Sequence, residues 1–215
     1  MRVALGRERL KESAGLRSKY DCDTSLARIR EIYSRSPNSV GRIAGRESRM
    51  KRGAELLESL VKDETLRQAA KSWPSTEGRK NLLFYEDFDY GFAINGVVRV
   101  AGRKGSIHDH AHAWTAYGVL DGTESLERFR RVDDRSKEGY AKLELASVTA
   151  GEPGKVDLVP PFEIHAEQGG PTRSVAVILR SERVAGKVLQ GSYDGANNTI
   201  RLIEGPTNIP YEITG

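Results

Sequence analysis

The stretch GSIHDHAHAW, residues 105–114, holds His108, His110 and His112, in a chain of 215 residues that has only four histidines. The fourth, His165, lies in PPFEIHAEQ, residues 160–168. Histidines at i and i+2 on a strand project from one face, because strand side chains alternate. His108 and His110 are therefore placed to grip one ion. A third ligand has to come from another strand, and His165 is the one histidine outside the cluster. Neutral imidazole is a borderline donor that suits Zn, Cu, Fe and Ni. Three imidazoles on one side of an ion leave the opposite positions open for substrate or dioxygen. The competing reading of HDHAH is an exposed chelating tract.

The text around the histidines is that of short strands. NLLFYEDF, YGFAINGVVRV, AWTAYGVLDG, SLERFRRV, AKLELASV, KVDLVP, SVAVILRS and NTIRLIEG are rich in β-branched and aromatic residues and separated by Gly, Asp, Asn or Pro. That pattern predicts an antiparallel sandwich or barrel. Before residue 79 the pattern is helical. SLARIREIY sets Leu26, Ile29, Ile32 and Tyr33 on one face behind a cap at Asp23, Thr24 or Ser25, and Pro37 and Gly41 break it. A second helix is expected from Gly53 through Leu56, Leu57, Leu60 and Val61. Asp63 starts a third carrying Leu66 and Ala70. The layout is residues 1–78 as an arm and helices packed on a barrel, and residues 79–215 as the barrel with the metal site.

The spacing of the histidines resembles the two motifs of the cupins. The first motif runs Gly, five residues, His-x-His, three or four residues, Glu, six residues, Gly. Here Gly102, His108, His110, Thr115 and Gly122 stand at those intervals. The second runs Gly, five residues, Pro-x-Gly, two residues, His, three residues, Asn. Here the same positions are Gly154, Pro160, Phe162, His165 and Gly169. The resemblance implies a mainly β fold, a cupin double-stranded β-helix (a jelly-roll barrel) with an N-terminal helical portion. It assigns His108, His110 and His165 as the metal ligands. Thr115 replaces the usual glutamate, which leaves a three-histidine site. That variant, with IHDH, LVPPFEIH and Lys80-Asn81-Leu82, resembles the cysteine dioxygenase family. The resemblance implies Fe(II), with Ni, Zn, Mn and Cu as alternatives, and O2 as co-substrate. Thr115 also stands where some members carry a crosslinked cysteine. The Ser-x-His-x-Tyr element of the thiol enzymes falls on Ala176, Ile178 and Arg180 and is absent.

Other residues are candidates for the reaction itself. Arg180 lies in an apolar strand, where an arginine is costly unless paired. It pairs with an internal carboxylate, meets an anionic substrate in the cavity, or lies on the outer face. Tyr117 shares parity with Thr115, so its hydroxyl can reach the cavity. His112 continues the alternation from His110 and either contacts ligand or substrate or is exposed at the rim. Arg180, Tyr117 and His112 are the catalytic candidates. Arg180, Lys80, Arg79, Thr115 and Trp114 are the substrate-contact candidates, Arg79 or Lys80 falling where the family's carboxylate-binding arginine stands.

The bulk properties agree with a soluble globular chain rather than a disordered one. Basic residues number 34 against 30 acidic, a net charge of +4. The basic run at Arg42, Arg46, Arg49, Lys51 and Arg52 reads as a solvated helix face rather than a nucleic-acid patch. Cys22 is the only cysteine, so no intramolecular disulfide forms and a reducing cytoplasm is the expected compartment. The N-terminal text has no apolar run for a signal peptide or a membrane span. The expected partner is a small molecule, with no nucleic acid and no membrane, and the chain is a monomer or homodimer. The expected activity is a mononuclear non-haem Fe(II) dioxygenase that adds O2 to a small anionic or enolisable substrate, a thiol being less favoured. The alternatives are an isomerase or hydrolase using Zn or Mn, or a non-enzymatic metal- or ligand-binding cupin.

Overall fold

The β-branched runs after residue 79 become strands in the computed structural model, which describes residues 27–32, 42–184 and 186–213. They are β1 (Lys80–Glu86), β2 (Ala93–Arg99), β3 (Ile107–His108), β4 (Thr115–Asp121), β5 (Glu124–Arg131) and β6 (Leu143–Gly151), followed by β7 (Val156–Val159), β8 (Ile164–Gly169), β9 (Ser174–Arg180), β10 (Leu189–Asp194), β11 (Thr199–Glu204) and β12 (Thr207–Pro210). Among the described residues they form two six-stranded sheets, ordered β12-β1-β2-β9-β4-β7 and β11-β10-β3-β8-β5-β6.

The winding can be read from the pairings. β2 pairs with β9, β3 with β8, β4 with β7 and β5 with β6, all antiparallel. That is one long hairpin turned between β5 and β6. β4 also pairs with β9, and β5 with β8. Those are the contacts made when the hairpin coils on itself and successive turns touch. The fold is the double-stranded β-helix, the jelly roll expected from the sequence. β9 is buried at every residue, because one face lines the barrel and the other lies under the helices. Its text therefore runs apolar without alternation.

Two helices, α1 (Arg42–Leu60) and α2 (Glu64–Ala70), contribute to one core with the outer face of the β2–β9–β4 sheet. Met50, Leu57, Leu66 and Trp73 join Leu82, Ile94, Ala116 and Leu179 there. A Cβ on Gly53 would meet Leu179 Cδ2 at 2.6 Å, so the glycine lets helix and sheet approach. Asp63 caps α2 as expected, its Oδ1 accepting from Leu66 N at 2.9 Å. α1 differs from the expected helix in beginning at Arg42 rather than Gly53. Its first half is charged and buries Met50, so it carries little periodic signal. It draws support instead from pairs such as Lys51–Glu47. Residues 27–32 are helical, with Ile29 buried and Arg30 paired to Asp87 at 3.2 Å and Asp89 at 2.7 Å. The expected caps, Leu26, Tyr33, Pro37, Gly41, Cys22 and the arm lie outside the described residues. No helix among the described residues is long and apolar enough to cross a membrane.

Candidate metal centre

The three expected ligands come together. His108 ends β3, His110 follows it, and His165 lies on β8 directly across from His108. Each offers one ligand atom, and these atoms lie within 4.8 Å of one another. His108 Nδ1 faces the Ser106 carbonyl at 2.9 Å, and His165 Nδ1 the Glu163 carbonyl at 2.8 Å. A carbonyl only accepts, so both Nδ1 atoms carry the proton and both Nε2 atoms present lone pairs. His108 Nε2 and His110 Nε2 stand 3.1 Å apart. Donors held at about 2.0–2.1 Å from one ion are separated by about this much. His165 Nε2 is buried without a hydrogen-bond partner among the described residues. The donor set therefore fits a metal ion, and His108, His110 and His165 are the residues that would hold it.

β3 stops at His108, because the chain turns at once: Ala111 has φ 48° and Ala113 N bonds His110 O. The expected strand through His110 is thus a turn, and other contacts aim that ring. Thr115 Oγ1 stands 3.0 Å from His110 Nδ1. Asp109 points the other way and is buried. Its carboxylate accepts from Ala111 N, Gly191 N and Tyr193 OH, tying the turn to β10. A Cβ at Gly191 would lie 2.3 Å from Asp109 Oδ2, which is why glycine is needed there. Phe162, at the position of the second motif's glycine, has φ 60° and bonds Ala111 O through its amide at 2.7 Å. The backbone keeps the left-handed turn that glycine would take at less cost.

Burial pushes the protonated forms of two rings down, His108 to about 4 and His110 well below the usual value, with neighbouring His165 adding to the first and Arg180 to the second. Both are neutral at neutral pH, the form that binds metal.

A cavity of about 330 Å³ opens beside the histidines, lined in part by His108, Tyr117, Glu167, Ile178, Arg180 and Gln190. Arg180 is 5% exposed, and its Nε and Nη1 have no hydrogen-bond partner among the described residues. Burial lowers it to about 10, opposed by Glu167 and Tyr117, so it remains a cation. Sequence reasoning missed Glu167. It lies two residues past His165 on β8, hence on the same face. Its Oε1 is 3.5 Å from His165 Nε2 and its Oε2 is 3.4 Å from Arg99. Burial opposes its ionisation, but His165, His108 and Arg99 outweigh that and hold it well below the usual carboxylate range. The i+2 spacing of His165 and Glu167 is the signal that could have found it.

The other candidates divide. Arg79 and Lys80 line the cavity and Thr115 buttresses a ligand ring. Tyr117 lines the cavity wall, and its hydroxyl is committed there, donating to Glu124 Oε2 at 2.7 Å and contacting Arg99. His112 takes the exposed alternative and not the contact role: its side chain is 51% exposed and pairs with Glu182 at 3.2 Å, because the turn after His110 ends the alternation. Trp114 packs against the helix-side core and its backbone N–H bonds Ser181, which takes it away from the cavity.

No protein-family model matches the chain, and no curated protein matches it. Solved structures resemble it in part. One is recombinant oxalate oxidase in complex with glycolate, 19% identical, covering 43% of this chain and 42% of that chain with a TM-score of 0.35. Another is a Klebsiella pneumoniae protein with a double-stranded β-helix domain, 13% identical, covering 59% and 94% with a TM-score of 0.40. A third is the Cnp3 cupin domain of Schizosaccharomyces pombe, 12% identical, covering 48% and 64% with a TM-score of 0.38. The chain spans less than half the length of the oxalate oxidase it matches. The fold stands on the strand order alone.

Proposed function

We propose that this chain is a cupin-type mononuclear non-haem iron dioxygenase acting on a small anionic substrate. The observation that carries the reading is a cluster of three imidazole donors, reached by the cavity at His108, whose wall also holds a buried guanidinium without a hydrogen-bond partner at Nε or Nη1. Fe(II), when bound, supplies the redox chemistry that activates dioxygen. The chain's own residues do the rest. The Ser106 and Glu163 carbonyls fix the His108 and His165 tautomers, as such outer contacts commonly do for metal ligands. Arg180 anchors an anionic group beside the donors, an interaction worth about 1.5–3 kcal/mol, or one to two decades in affinity. Val97 and Ile178 present apolar wall. Glu167, held by Arg99 through Oε2, offers Oε1 as a hydrogen-bond acceptor for a substrate N–H or O–H. The pairing of Ile178 with Tyr117 and of Arg180 with Thr115 brings no imidazole and no uncommitted hydroxyl along β9. A carboxylate-bearing, enolisable oxygen substrate therefore suits the site better than cysteine.

Metal analysis of anaerobically purified protein, followed by oxygen uptake against β-diketones, small aromatic acids and thiols, tests the proposal. Stoichiometric iron and uptake with an acid are expected. A bound redox-inactive ion without uptake would move the chain to the Lewis-acid isomerases or hydrolases. Rapid conversion of cysteine to its sulfinate would overturn the substrate assignment.

A further inference from the structure

We infer that the ligand of this cavity carries two anionic groups, one met by Arg180 and the other by Arg79, Lys80, Arg103 and Lys104 at the cavity's far end. The inference rests on the reading of the cavity as a substrate site, and it adds the charge and the length of that substrate.

The charge balance comes first. Six cationic side chains and one carboxylate, Glu167, stand among the described residues of the lining. Arg99 is satisfied by Glu124 and Glu167, which also absorbs that carboxylate. Arg180 and the four outer cations have no ion pair among the described residues; Arg79 donates to the Glu204 carbonyl, which carries no charge. Like charges grouped around one cavity repel, and low-dielectric walls focus their field on an incoming anion.

The register then separates the cations into two groups. Arg180 lies across from Ala93 at one end of β2, and Ser174 lies across from Arg99 at the other. Six residues of strand span about 20 Å. Leu82 pairs with Gly96, so the chain running back from it carries Lys80 and Arg79 toward the Arg99 end. Lys104 bridges to Gln168, one residue beyond Glu167 and away from His165. One acid group can neutralise Arg180 only, since the remaining cations are out of its reach. Residues from both ends line the one cavity, so its ligand spans less than the backbone distance. A cavity of about 330 Å³ admits an elongated small molecule and no strand of nucleic acid. Backbone strain marks the same place: Arg79 has φ 59°, next to Gly78 at φ 71°. A non-glycine residue in that region is uncommon, and such strain persists where the surroundings over-determine a side chain's position.

The test is calorimetric titration of the full chain with linear dicarboxylates from succinate to suberate and the matching monocarboxylates from butyrate to octanoate, with metal content measured on the same sample. One dicarboxylate length should bind about tenfold or more tightly than its monocarboxylate, a gain that shrinks as salt is raised. Replacing Arg79, Lys80, Arg103 and Lys104 together by Ser should remove that gain and leave monocarboxylate affinity unchanged, whereas Arg180→Gln should weaken both series. Equal affinity of matched acids in the wild-type protein, no binding of either series, or a retained gain in the fourfold variant would each overturn the inference. A metal-loaded protein with no preference for diacids sinks this inference alone. A metal-free protein that prefers diacids sinks the dioxygenase reading and leaves this one standing.

Discussion

Replacing Arg180 by methionine should make the unliganded protein more stable while weakening its response to anions. Burial depresses the guanidinium to about 10 from 12.5, only partly offset by Glu167 and Tyr117. Each tenfold change in proton affinity is about 1.4 kcal/mol, so the charged form is roughly 3 kcal/mol less favourable in the folded chain than in the unfolded chain. The shift is downward for a cation, so the cost is present at every pH below the folded value, neutral pH included. Methionine fills a similar volume without charge and adapts to irregular space. The expected gain is up to about 3 kcal/mol, or roughly 6–12 °C in Tm at 2–4 °C per kcal/mol. Urea unfolding followed by the fluorescence of Trp73 and Trp114 measures it. A dicarboxylate at a hundred times its wild-type Kd should add about 2.7 kcal/mol to the wild-type protein and only about 0.4–1.4 kcal/mol to the variant, whose affinity is one to two decades lower. A variant that is destabilised by more than about 1 kcal/mol without ligand would refute the reasoning, since the guanidinium would then be a paired structural member.

Three further outcomes follow from the same geometry. His108→Ala, His110→Ala or His165→Ala should each strip the metal, measured by elemental analysis, while His112→Ala should leave it; the reverse result for His112 and His165 would overturn the ligand set. The metal-free protein should lose stability as pH falls from 6.5 toward about 4, because the unfolded chain protonates His108 through that window and the folded chain does not. The loss from His108 is up to about 3 kcal/mol, and His108→Gln should make the fall of the urea midpoint shallower over the same range, the remainder coming from His110. Gly118→Ala should cost about 1–3 kcal/mol in urea unfolding by overpacking, because the new Cβ would lie 2.8 Å from Val61 Cγ1 under the helices; an unchanged midpoint would show that this junction yields.

The parts of the fold written in apolar periodicity were legible. β9 reads as a buried strand, Asp63 as a cap, and the spacings around Gly102 and Gly154 as paired strand ends bearing ligands. What escaped is polar on the inside. β8 carries His165, Glu167 and Gln168 because it faces a polar cavity, so its text IHAEQG lacks the usual alternation. β10 is interrupted by Gly191, whose reason lies far away in the sequence at Asp109. The grouping of Arg99, Tyr117, Glu124 and Ser174 around Glu167 also escaped. Each member looks like an ordinary polar strand residue until strand pairing brings the five to one side of the barrel.

The placement of charge links the ligand set to the free arginine. The motif that this chain resembles puts a glutamate at the position of Thr115, and Thr115 lies directly across from Arg180 in the β4–β9 register. A carboxylate there would face that guanidinium and neutralise it. The chain instead uses Thr115 Oγ1 to brace the His110 ring. Its carboxylate enters from β8 as Glu167, where Arg99 holds one of its oxygens. Negative charge has moved from beside Arg180 to the neighbourhood of His165. A cation is thereby left in the wall of a cavity that also reaches the three-histidine cluster at His108. Both the guanidinium and a divalent ion would be under-neutralised by one buried carboxylate that already serves Arg99. The missing negative charge has to arrive with the ligand, which makes an acid a better fit to this cavity than any neutral molecule.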